Sequence, residues 1–488
     1  MDIINKINNY YALSIKEDLN SGEFQQFKNI LFDYVGHDNP LALKPYFIAQ
    51  SKRNEFLRIT EILINLFEKL TFAYFNNSEI RNILSINGRV KDYIVVNPGY
   101  SRKHLVVRLD AYYDISKDSL SLLEINTDNP SYIGMNDLFI KTFDQLPSLK
   151  ILRQKFNVKS DTMVALLYEV LIKKYKEYCS NFKKLEQKDP HIVIVCSRNS
   201  FIRNDVDLIV KFLKEKNFNV SYADPRDFDY DGKVLKLNGE TVDIVYRDTL
   251  KDFFRTESSG KIHSNLRNKI LSYSKKACLQ NGFINRHLKK GYFGHAEDVL
   301  QAYSDNNICI INPFSSTICA QKLTFALIQD DLFSHLFNEE ELDTIKKYIP
   351  WTKVLGEYKT NFDNKQVDLI NFVKKNRKQF VLKPNGGHGG KGILIGCEIN
   401  QKLWERKIDE VIKSGLKYIV QEFTDIPTEN FPAFSNGTFE DSSQQYFNIN
   451  FWGIDGKFAG SFVRASEKKV INVSQGGRYV PLYYVLNY

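Results

Sequence analysis

The sequence predicts an α/β (α+β) protein with a helical N-terminal region, and three patterns along the chain support this fold class. Up to about residue 188, apolar residues recur at three- and four-residue steps, as in residues 56–75 and 162–185, which is typical of helices. From about residue 189, short apolar strands alternate with a helix, which is typical of a small Rossmann-like domain. After residue 311, helices and strands alternate again. We therefore expect about three domains in the 488 residues, at 1–188, 189–311 and 312–488.

A β-rich interval interrupts the helical region and carries polar residues in an alternating pattern. The runs at 104–113 and 115–126 are spaced like the arms of a hairpin. Since side chains alternate across a strand, Arg108 and Asp110 share one face, and Glu124 and Asn126 share the same face on the next strand. Carboxylate and amide oxygens suit Mg²⁺, and arginine suits phosphate. Taken alone, an ordinary solvated polar face explains this pattern better.

The middle region has the strands of an α/β domain but no dinucleotide-binding fingerprint. The run at 191–197 reads as a buried strand, and residues 233–248 read as a hairpin that turns at Asn238–Gly239. Arg198 and Arg247 follow strands, at the edge where α/β proteins tend to bind ligands. Either arginine could hold a substrate carboxylate, although a surface salt bridge is the more common role for such a residue.

The most informative segment is the glycine-rich loop within residues 380–396. Short β-rich runs flank the loop, so it is predicted to be the tip of a hairpin. Glycine allows close approach of backbone N–H groups to an anion, and lysine meets phosphate as a point charge. The loop is not a Walker A motif, because Asn385 and Gly392 stand where glycine and Ser/Thr are required and no helix follows. A hairpin tip without a ligand is the alternative. The loop and its entrance contain Gly386, Gly387, Gly389, Gly390, Gly392, Lys383 and Lys391.

Three further positions attract attention, each of them weak when it is taken alone. Lys322 lies in an apolar helical run, where a lysine usually extends its ammonium group to solvent. The apolar run at 418–423 ends in Gln421–Glu422, which could meet the polar edge of adenine or could simply end a strand. Arg464 stands near Asn472 and the turn at 474–477.

Composition excludes several classes of protein. The net charge is +9, the lysines are spread along the chain, and no recognisable nucleic-acid module accompanies them, so we expect no nucleic-acid partner. An acidic substrate such as a nucleotide fits this charge equally well. The six cysteines and eight histidines lack zinc-ligand spacing. There is no signal-peptide pattern and no run of about 18 apolar residues, so we expect a cytoplasmic protein without a membrane partner.

Taken together, these motifs resemble the ATP-grasp superfamily in its circularly permuted form, which includes the glutathionylspermidine-synthetase-like proteins. In the permuted form the R-x-D and E-x-N motifs stand upstream of the lysines and the glycine loop, as they do here. The resemblance covers most of the chain from about Arg108 onward. The chain departs from that pattern in two ways: it lacks the amidase segment of some glutathionylspermidine enzymes, and its loop is richer in glycine. These departures affect the expected substrate rather than the expected ATP chemistry.

The resemblance implies a fold, two cofactors and a set of site residues. It implies a Rossmann-like pre-ATP-grasp domain beside a permuted ATP-grasp domain, with ATP and Mg²⁺ as cofactors. The metal ligands would be Asp110, Glu124 and Asn126. The catalytic residues would be Arg108, on the γ-phosphate or acyl phosphate, and Arg464, on the transition state. The residues around ATP would be Lys322, Lys383, Gly386, Gly387, Gly389, Gly390, Lys391, Gln421, Glu422 and Phe423.

The activity implied is that of an ATP-dependent carboxylate–amine ligase that works through an acyl phosphate and releases ADP and phosphate. The expected partners are a small-molecule or peptide carboxylate and an amine, and an acidic carrier protein that presents an acyl group stays open. Two alternatives also stay open. One is an ATP-grasp kinase without ligation, and the other is a catalytically silent nucleotide-binding regulatory protein.

Overall fold

The computed structural model describes residues 2–36, 39–200, 202–247, 250–254, 296–386, 390, 392–435, 437–441, 443–471 and 476–486. They form two compact units. Unit 1 comprises Met1–Ile86, Arg102–Val170 and Ser315–Tyr488, and unit 2 comprises Asn87–Ser101 and Leu171–Phe314. Segments from the first and third predicted parts therefore belong to one unit. The division into three domains at residues 188 and 311 stays a prediction.

Unit 1 is built on a large mixed sheet. Its strands follow the spatial order Tyr46–Ala49, Arg478–Val485, Lys457–Ser466, Gln444–Ile454, Val106–Asp114, Ser119–Asn126. The first pair is parallel and the others are antiparallel. Two short strands extend the sheet, with Thr428–Asn430 beside Gln444–Ile454 and Val158–Lys159 beside Arg478–Val485.

One face of the large sheet is apolar and is covered by the long helix Gln50–Asn76. The ring of Phe56 on this helix packs against that of Phe451 on the sheet, with 4.5 Å between their centroids. A Cβ atom at Gly453 would overlap the side chain of Ile64, so glycine permits the close approach of helix and sheet. Because side chains alternate across each strand, the opposite face presents the polar residues that are described below.

The helices of unit 1 surround the large sheet and a smaller one. The α-helices are Asp2–Asp18, Gly22–Val35, Gln50–Asn76, Ser78–Leu84, Ile133–Phe143, Pro147–Phe156, Leu323–Leu327, Glu339–Tyr348, Leu369–Lys375 and Gln401–Ser414. The helix Val164–Phe182 begins in unit 1, and its residues from Leu171 onwards belong to unit 2. The 3₁₀ helices Asp331–Leu336, Arg377–Gln379 and Gly396–Glu398 lie in unit 1, and Phe314–Ile318 begins at the last residue of unit 2.

The small sheet of unit 1 contains the predicted glycine-loop hairpin. Its antiparallel strands follow the order Thr352–Val354, Tyr418–Glu422, Phe380–Pro384, Leu394–Ile395. Phe380, Leu382 and Val420 form an apolar face that packs on Trp404 and Ile408 of the helix Gln401–Ser414. The opposite face carries Thr352, Lys383 and Gln421. The hairpin prediction is confirmed by the pairing of Val381 with Ile395. Unit 1 also contains a two-stranded sheet, Lys359–Phe362 with Lys365–Asp368, and a three-stranded one, Leu41–Ala42 with Ala433–Ser435 and Thr438–Glu440.

Unit 2 is built on a four-stranded parallel sheet. Its strands follow the order Cys309–Ile311, Ile244–Arg247, Ile192–Val195, Val220–Ala223, and its helices include Val90–Ile94, Arg203–Lys214, Leu250–Phe254 and Glu297–Ser304. The predicted turn at Asn238–Gly239 is confirmed, but the hairpin is shorter than predicted. Glu240–Thr241 pairs with Leu235–Leu237, and Phe228–Tyr230 completes that small sheet. The run Ile244–Arg247 leaves the hairpin and joins the parallel sheet, because its four residues are all buried.

The two arginines at the strand ends of unit 2 have different roles. Arg198 is partly exposed and pairs with Asp227, as the salt-bridge interpretation predicts. For Arg247 the predicted surface position is wrong. Its side chain is fully buried, and its Nε and Nη2 donate to the carbonyl oxygens of Asn312 and Pro313 at 2.8 and 3.1 Å. Arg247 therefore stabilises the backbone within unit 2.

The cysteines and the apolar helices were both considered in the sequence. Cys179, Cys196, Cys309 and Cys319 are buried, Cys397 is exposed, and Cys278 lies outside the described residues. Within the ranges given above, no helix combines the length and the apolar character that crossing a bilayer requires.

Candidate active site

The R-x-D and E-x-N motifs occupy the two arms of one hairpin, as the sequence predicts. Val106–Asp114 and Ser119–Asn126 pair antiparallel, with Arg108 opposite Asn126 and Asp110 opposite Glu124. A β-bulge between Asp110 and Ala111 follows directly. The four side chains therefore lie on one face of the large sheet, opposite the face that packs on the long helix.

Asp110 binds two arginine side chains. Arg108 donates to it twice, from Nε to Oδ1 at 2.6 Å and from Nη2 to Oδ2 at 3.1 Å. Arg464 donates from Nη2 to Oδ2 at 2.8 Å. All three residues are less than a tenth exposed. Both carboxylate oxygens of Asp110 are thus engaged by guanidinium groups, which such paired contacts hold in a defined orientation.

The neighbouring strand Gln444–Ile454 brings Arg464 next to Asp110. Asn448 lies opposite Arg464 on one side of this strand, and Asn450 lies opposite Asp110 on the other. Arg464 Nε donates to Asn448 Oδ1 at 3.2 Å. Both asparagines are buried. Sequence reasoning missed them, although the alternation Asn-Ile-Asn within an apolar strand is the signal that marks a polar face.

Lys322 extends the site with an ion pair to the same hairpin. Its Nζ lies 2.9 Å from Glu124 Oε2, and its side chain is 13% exposed. Lys322 immediately precedes the short helix Leu323–Leu327. Burial alone would raise the pKa of Glu124, but Lys322, Lys383 and Arg108 together lower that pKa well below its ordinary value. Glu124 is therefore ionised at neutral pH, and the interpretation of Lys322 as a residue that extends to solvent is wrong.

Lys383 projects from the small sheet towards the same hairpin. Its Nζ donates to Gln421 Oε1 at 2.6 Å and to the carbonyl oxygen of Leu123 at 3.3 Å. Burial lowers the pKa of Lys383 to about 8, although the nearby Glu124 carboxylate acts in the opposite direction. The large and small sheets of unit 1 thus present their polar faces to each other around Glu124.

Asn385 connects the glycine loop to the segment that carries Lys322. It is the second residue after Lys383, and its amide makes two contacts. Nδ2 donates to Gln321 Oε1 at 2.6 Å, and Oδ1 accepts from the backbone N–H of Leu323 at 3.1 Å. Both residues that flank Lys322 therefore touch the loop entrance. Gln321 and Asn385 were not predicted as site residues, and no local pattern marks such a long-range contact.

The glycine loop is described only in part. Gly390 and Gly392 have positive φ angles of 74° and 79°, which favour glycine. A Cβ atom at Gly390 would overlap Val470, in the segment that follows the strand of Arg464. Lys469 of that segment pairs with Glu398. Gly386 lies at the loop entrance, and Gly387, Gly389, Lys391, Asn472 and Ser474 lie outside the described residues.

The segment Gln421–Phe423 ends the strand next to Lys383. Gln421 is buried, and its amide contacts Lys383 and Thr352. The backbone N–H of Glu422 donates to Trp351 at 2.8 Å, and that of Phe423 donates to Gln379 at 2.7 Å. The Glu422 side chain is exposed. An adenine contact at Gln421, Glu422 and Phe423 stays a prediction.

Three residues of this site, Asp110, Glu124 and Asn126, have the chemistry to hold Mg²⁺. Glu124 offers a carboxylate. Asn126 offers an amide whose Nδ2 is buried without a hydrogen-bond partner among the described residues. A rotation of this amide by 180° would place its oxygen where the nitrogen is, and an oxygen can bind Mg²⁺. One or two carboxylates with substrate phosphates are the usual Mg²⁺ environment. Within the described part of the chain, no cluster of three His, Cys, Asp or Glu side chains forms a metal site. Asp110 accepts one hydrogen bond at Oδ1 and two at Oδ2, which leaves a lone pair on Oδ1, so its role as a metal ligand stays a prediction.

Comparisons with known proteins agree with an ATP-grasp-like fold. Over 210 residues the chain is 23% identical to the ATP-grasp enzyme ankG of Aspergillus thermomutatus, a match that covers 39% of this chain and 40% of that protein. Among solved structures, it matches a glutathione synthetase-like effector from Globodera pallida in apo form. The TM-score is 0.54 at 13% identity, over 92% of this chain and 90% of the effector. The chain therefore shares the fold of that effector, while the circular permutation stays a prediction.

Two other comparisons add nothing to this conclusion. A putative gamma-glutamylcysteine synthetase from Methylobacillus flagellatus KT aligns with a TM-score of 0.38 at 12% identity, over 87% of this chain and 88% of that one, which is too distant to support an argument. No family model matches the chain.

Proposed function

We propose that this protein is an ATP-dependent carboxylate–amine ligase that forms an amide or peptide bond through an acyl phosphate. The observation that carries the proposal is the charge of the buried polar face. Four cationic side chains, Arg108, Lys322, Lys383 and Arg464, surround two carboxylates, Asp110 and Glu124, which leaves two positive charges in excess. A largely buried site with this excess suits an anionic substrate such as a nucleoside triphosphate.

The residues divide into two groups according to the charge that each would meet. Lys322 and Lys383 would bind the α- and β-phosphates. Arg108 would bind the γ-phosphate and then the acyl phosphate, and Arg464 would stabilise the tetrahedral transition state. In the first step a substrate carboxylate oxygen bonds to the γ-phosphorus as the bond to ADP breaks. In the second step the amine nitrogen bonds to the acyl carbon, the bond from that carbon to the phosphate oxygen breaks, and the departing phosphate takes up the proton that the amine loses.

Glu124 and Asn126 would hold Mg²⁺, which supplies charge neutralisation at the phosphate oxygens when it is bound. Asp110 would then act in either of two ways, as the anchor of both arginines or as a further ligand. The protein itself would mainly position the reactants and stabilise charge. Closure of the glycine loop, which contacts Val470 through Gly390, would exclude water from a hydrolysable acyl phosphate.

The reaction needs one carboxylate and one amine, on small molecules or on a peptide. The synthetase-like description of the structural neighbour is in keeping with such a pair. The positive net charge of +9 would also suit an acidic carrier protein that presents an acyl group.

The test is ADP release from Mg·ATP in the presence of hydroxylamine, with a panel of amino acids, short peptides and polyamine-related carboxylates. Hydroxylamine converts an acyl phosphate into a stable hydroxamate. We expect ADP and a hydroxamate with one carboxylate, and no hydroxamate from an Arg464→Ala variant. ADP together with a stable phosphorylated product would instead indicate a kinase. Nucleotide binding without ADP release from any substrate would indicate a regulatory protein.

A further inference from the structure

Gln421 lies between two polar side chains on the inner face of the small sheet. Its Oε1 accepts from Lys383 Nζ at 2.6 Å, and its Nε2 donates to Thr352 Oγ1 at 2.9 Å. The side chain is 1% exposed. The register explains this placement, because Gln421 lies opposite Thr352 on one neighbouring strand and opposite Val381 on the other, two residues before Lys383.

The orientation of the Gln421 amide is fixed from both ends. An ammonium group can only donate hydrogen bonds, so the amide oxygen must face Lys383. The hydroxyl of Thr352 donates its one hydrogen to the carbonyl oxygen of Pro350 at 2.7 Å, so it can only accept from Gln421. The backbone N–H of Thr352 in turn donates to Gln329 Oε1 at 2.7 Å. A chain of hydrogen bonds therefore anchors the amide that holds the lysine.

The ammonium group of Lys383 keeps one hydrogen-bond donor for a ligand. An ammonium group has three donor hydrogens. Gln421 and the carbonyl of Leu123 accept two of them, and the structure shows no third acceptor among the described residues. The two contacts fix the nitrogen beside Glu124, where the third hydrogen can meet a phosphate oxygen. A side chain with this many rotatable bonds would otherwise lose considerable conformational entropy on binding.

We propose that Gln421 is a positioning residue that holds Lys383 for phosphate binding, and that it does not recognise adenine. The inference rests on the proposed function, because it assumes that Lys383 meets the phosphates of ATP. If the inference is correct, a change at Gln421 alters the affinity for every ligand that carries a polyphosphate, whichever base that ligand has.

The experiment measures binding of three ligands, Mg·ATP, Mg·GTP and Mg·tripolyphosphate, to the full chain by calorimetry. Removal of a hydrogen bond to a charged group typically costs about tenfold in affinity. We expect Gln421→Ala to lower the affinity for ATP and the affinity for tripolyphosphate by the same factor, about tenfold. The ratio of ATP affinity to GTP affinity should not change. Gln421→Glu keeps an oxygen towards the ammonium, but it removes the donor to Thr352 and adds a negative charge to a site that we expect to bind an anion. It should therefore weaken the binding of ATP and of tripolyphosphate alike, with the ratio of ATP to GTP affinity unchanged.

A double-mutant cycle with Lys383→Ala separates positioning from a general structural effect. If Gln421 acts through Lys383, then Gln421→Ala should have no further effect on tripolyphosphate binding once Lys383 is alanine. Gln401→Ala is the matched control, because the Gln401 amide donates to Lys374 and Glu405 among the helices on the far side of the sheet. This control should bind all three ligands like the wild type.

Three results would overturn the inference. If Gln421→Ala binds ATP more weakly but binds tripolyphosphate like the wild type, Gln421 contacts the adenine base. An undiminished effect in the Lys383→Ala background would show that Gln421 acts elsewhere. If the wild type and Lys383→Ala bind tripolyphosphate equally well, Lys383 does not bind the phosphates. That result would contradict the proposed function itself and not only the role of Gln421. If Gln421→Ala does not fold, Thr352→Val tests the same chain from its other end, and we expect it to weaken tripolyphosphate by about threefold.

Discussion

Lys383 is the residue whose ionisation should control how ATP binding responds to pH. Burial lowers the pKa of Lys383 to about 8, so the ammonium form dominates at neutral pH and the neutral amine dominates above that value. Only the ammonium form attracts phosphate. We therefore expect ATP affinity to be constant below the pKa and to fall as the pH rises through about 8, by up to about tenfold per pH unit. Calorimetric titrations between about pH 7.5 and 9.5 measure this dependence.

Lys383→Arg is the control for that dependence, because arginine keeps its charge throughout this range. Its affinity for ATP should show no inflection near pH 8. An unchanged inflection in Lys383→Arg would assign the titration to another group.

Glu124 is the residue that should control the metal requirement. It is the ionised carboxylate nearest to both lysines of the site, and its removal leaves Lys322 without its partner at 2.9 Å. We expect Glu124→Ala to raise the Mg²⁺ concentration needed for half-maximal ADP release by about tenfold or more, in line with the loss of one ligand. Glu410→Ala, on the exposed surface of the helix Gln401–Ser414, should match the wild type. If Glu124→Ala requires the same Mg²⁺ concentration as the wild type, Glu124 is not a metal ligand.

At the scale of single elements, the local pattern of the sequence was sufficient for several predictions. Alternation along 104–113 and 115–126 predicts a hairpin with Arg108 and Asp110 on one face, and the structure has it. The glycine-loop hairpin is confirmed in the same way. The hairpin at Asn238–Gly239 was predicted too long, because a buried apolar run that follows a turn can equally join a parallel sheet.

The end of the glycine-loop hairpin supplies a prediction about stability. A Cβ atom at Gly396 would overlap the backbone carbonyl of Arg377 and lie within 2.9 Å of that of Phe380, and neither is a flexible side chain. We expect Gly396→Ala to lower the free energy of unfolding by about 1–3 kcal/mol, since overpacking forces the backbone apart. Chemical denaturation followed by circular dichroism measures the change.

Gly22→Ala is the control for this substitution. Apart from its chain neighbours and the backbone of its own helix, no atom of the described residues lies within 4 Å of a Cβ atom at that position, so alanine should be neutral or slightly stabilising there. Equal stability of Gly396→Ala and the wild type would mean that the two 3₁₀ segments, Arg377–Gln379 and Gly396–Glu398, separate at little cost.

At the scale of the whole molecule, the site depends on contacts that no local pattern contains. Arg464 and Asp110 are 354 positions apart, and their contact at 2.8 Å requires the strand Gln444–Ile454 to pair with both of their strands in one register. The resemblance to a known superfamily suggested that these residues act together, but not that Asp110 binds both arginines. The same limit explains why Asn385 and Gln321 were missed, since their roles appear only when distant segments are in contact.

Unit 1 is assembled from three segments of the chain, and this leads to a prediction about fragments cut at the expected boundary of residues 311 and 312. In the fragment 312–488, the strand Gln444–Ile454 loses its partner Val106–Asp114, and Arg478–Val485 loses Tyr46–Ala49. Unpaired, largely apolar strand edges favour aggregation. We therefore expect this fragment to be insoluble when it is produced alone, and to be recovered in soluble form when residues 1–311 are produced with it.

Nucleotide binding supplies the second measurement on these fragments. Lys322 and Lys383 belong to one fragment and Arg108 and Glu124 to the other, so ATP should bind only to the reassembled pair. A fragment 312–488 that unfolds cooperatively by itself would show instead that the small sheet, with its own core around Trp404, suffices to fold this part of the chain. The boundary at 311 would then be a true domain boundary, and the large sheet would form only when the two parts associate.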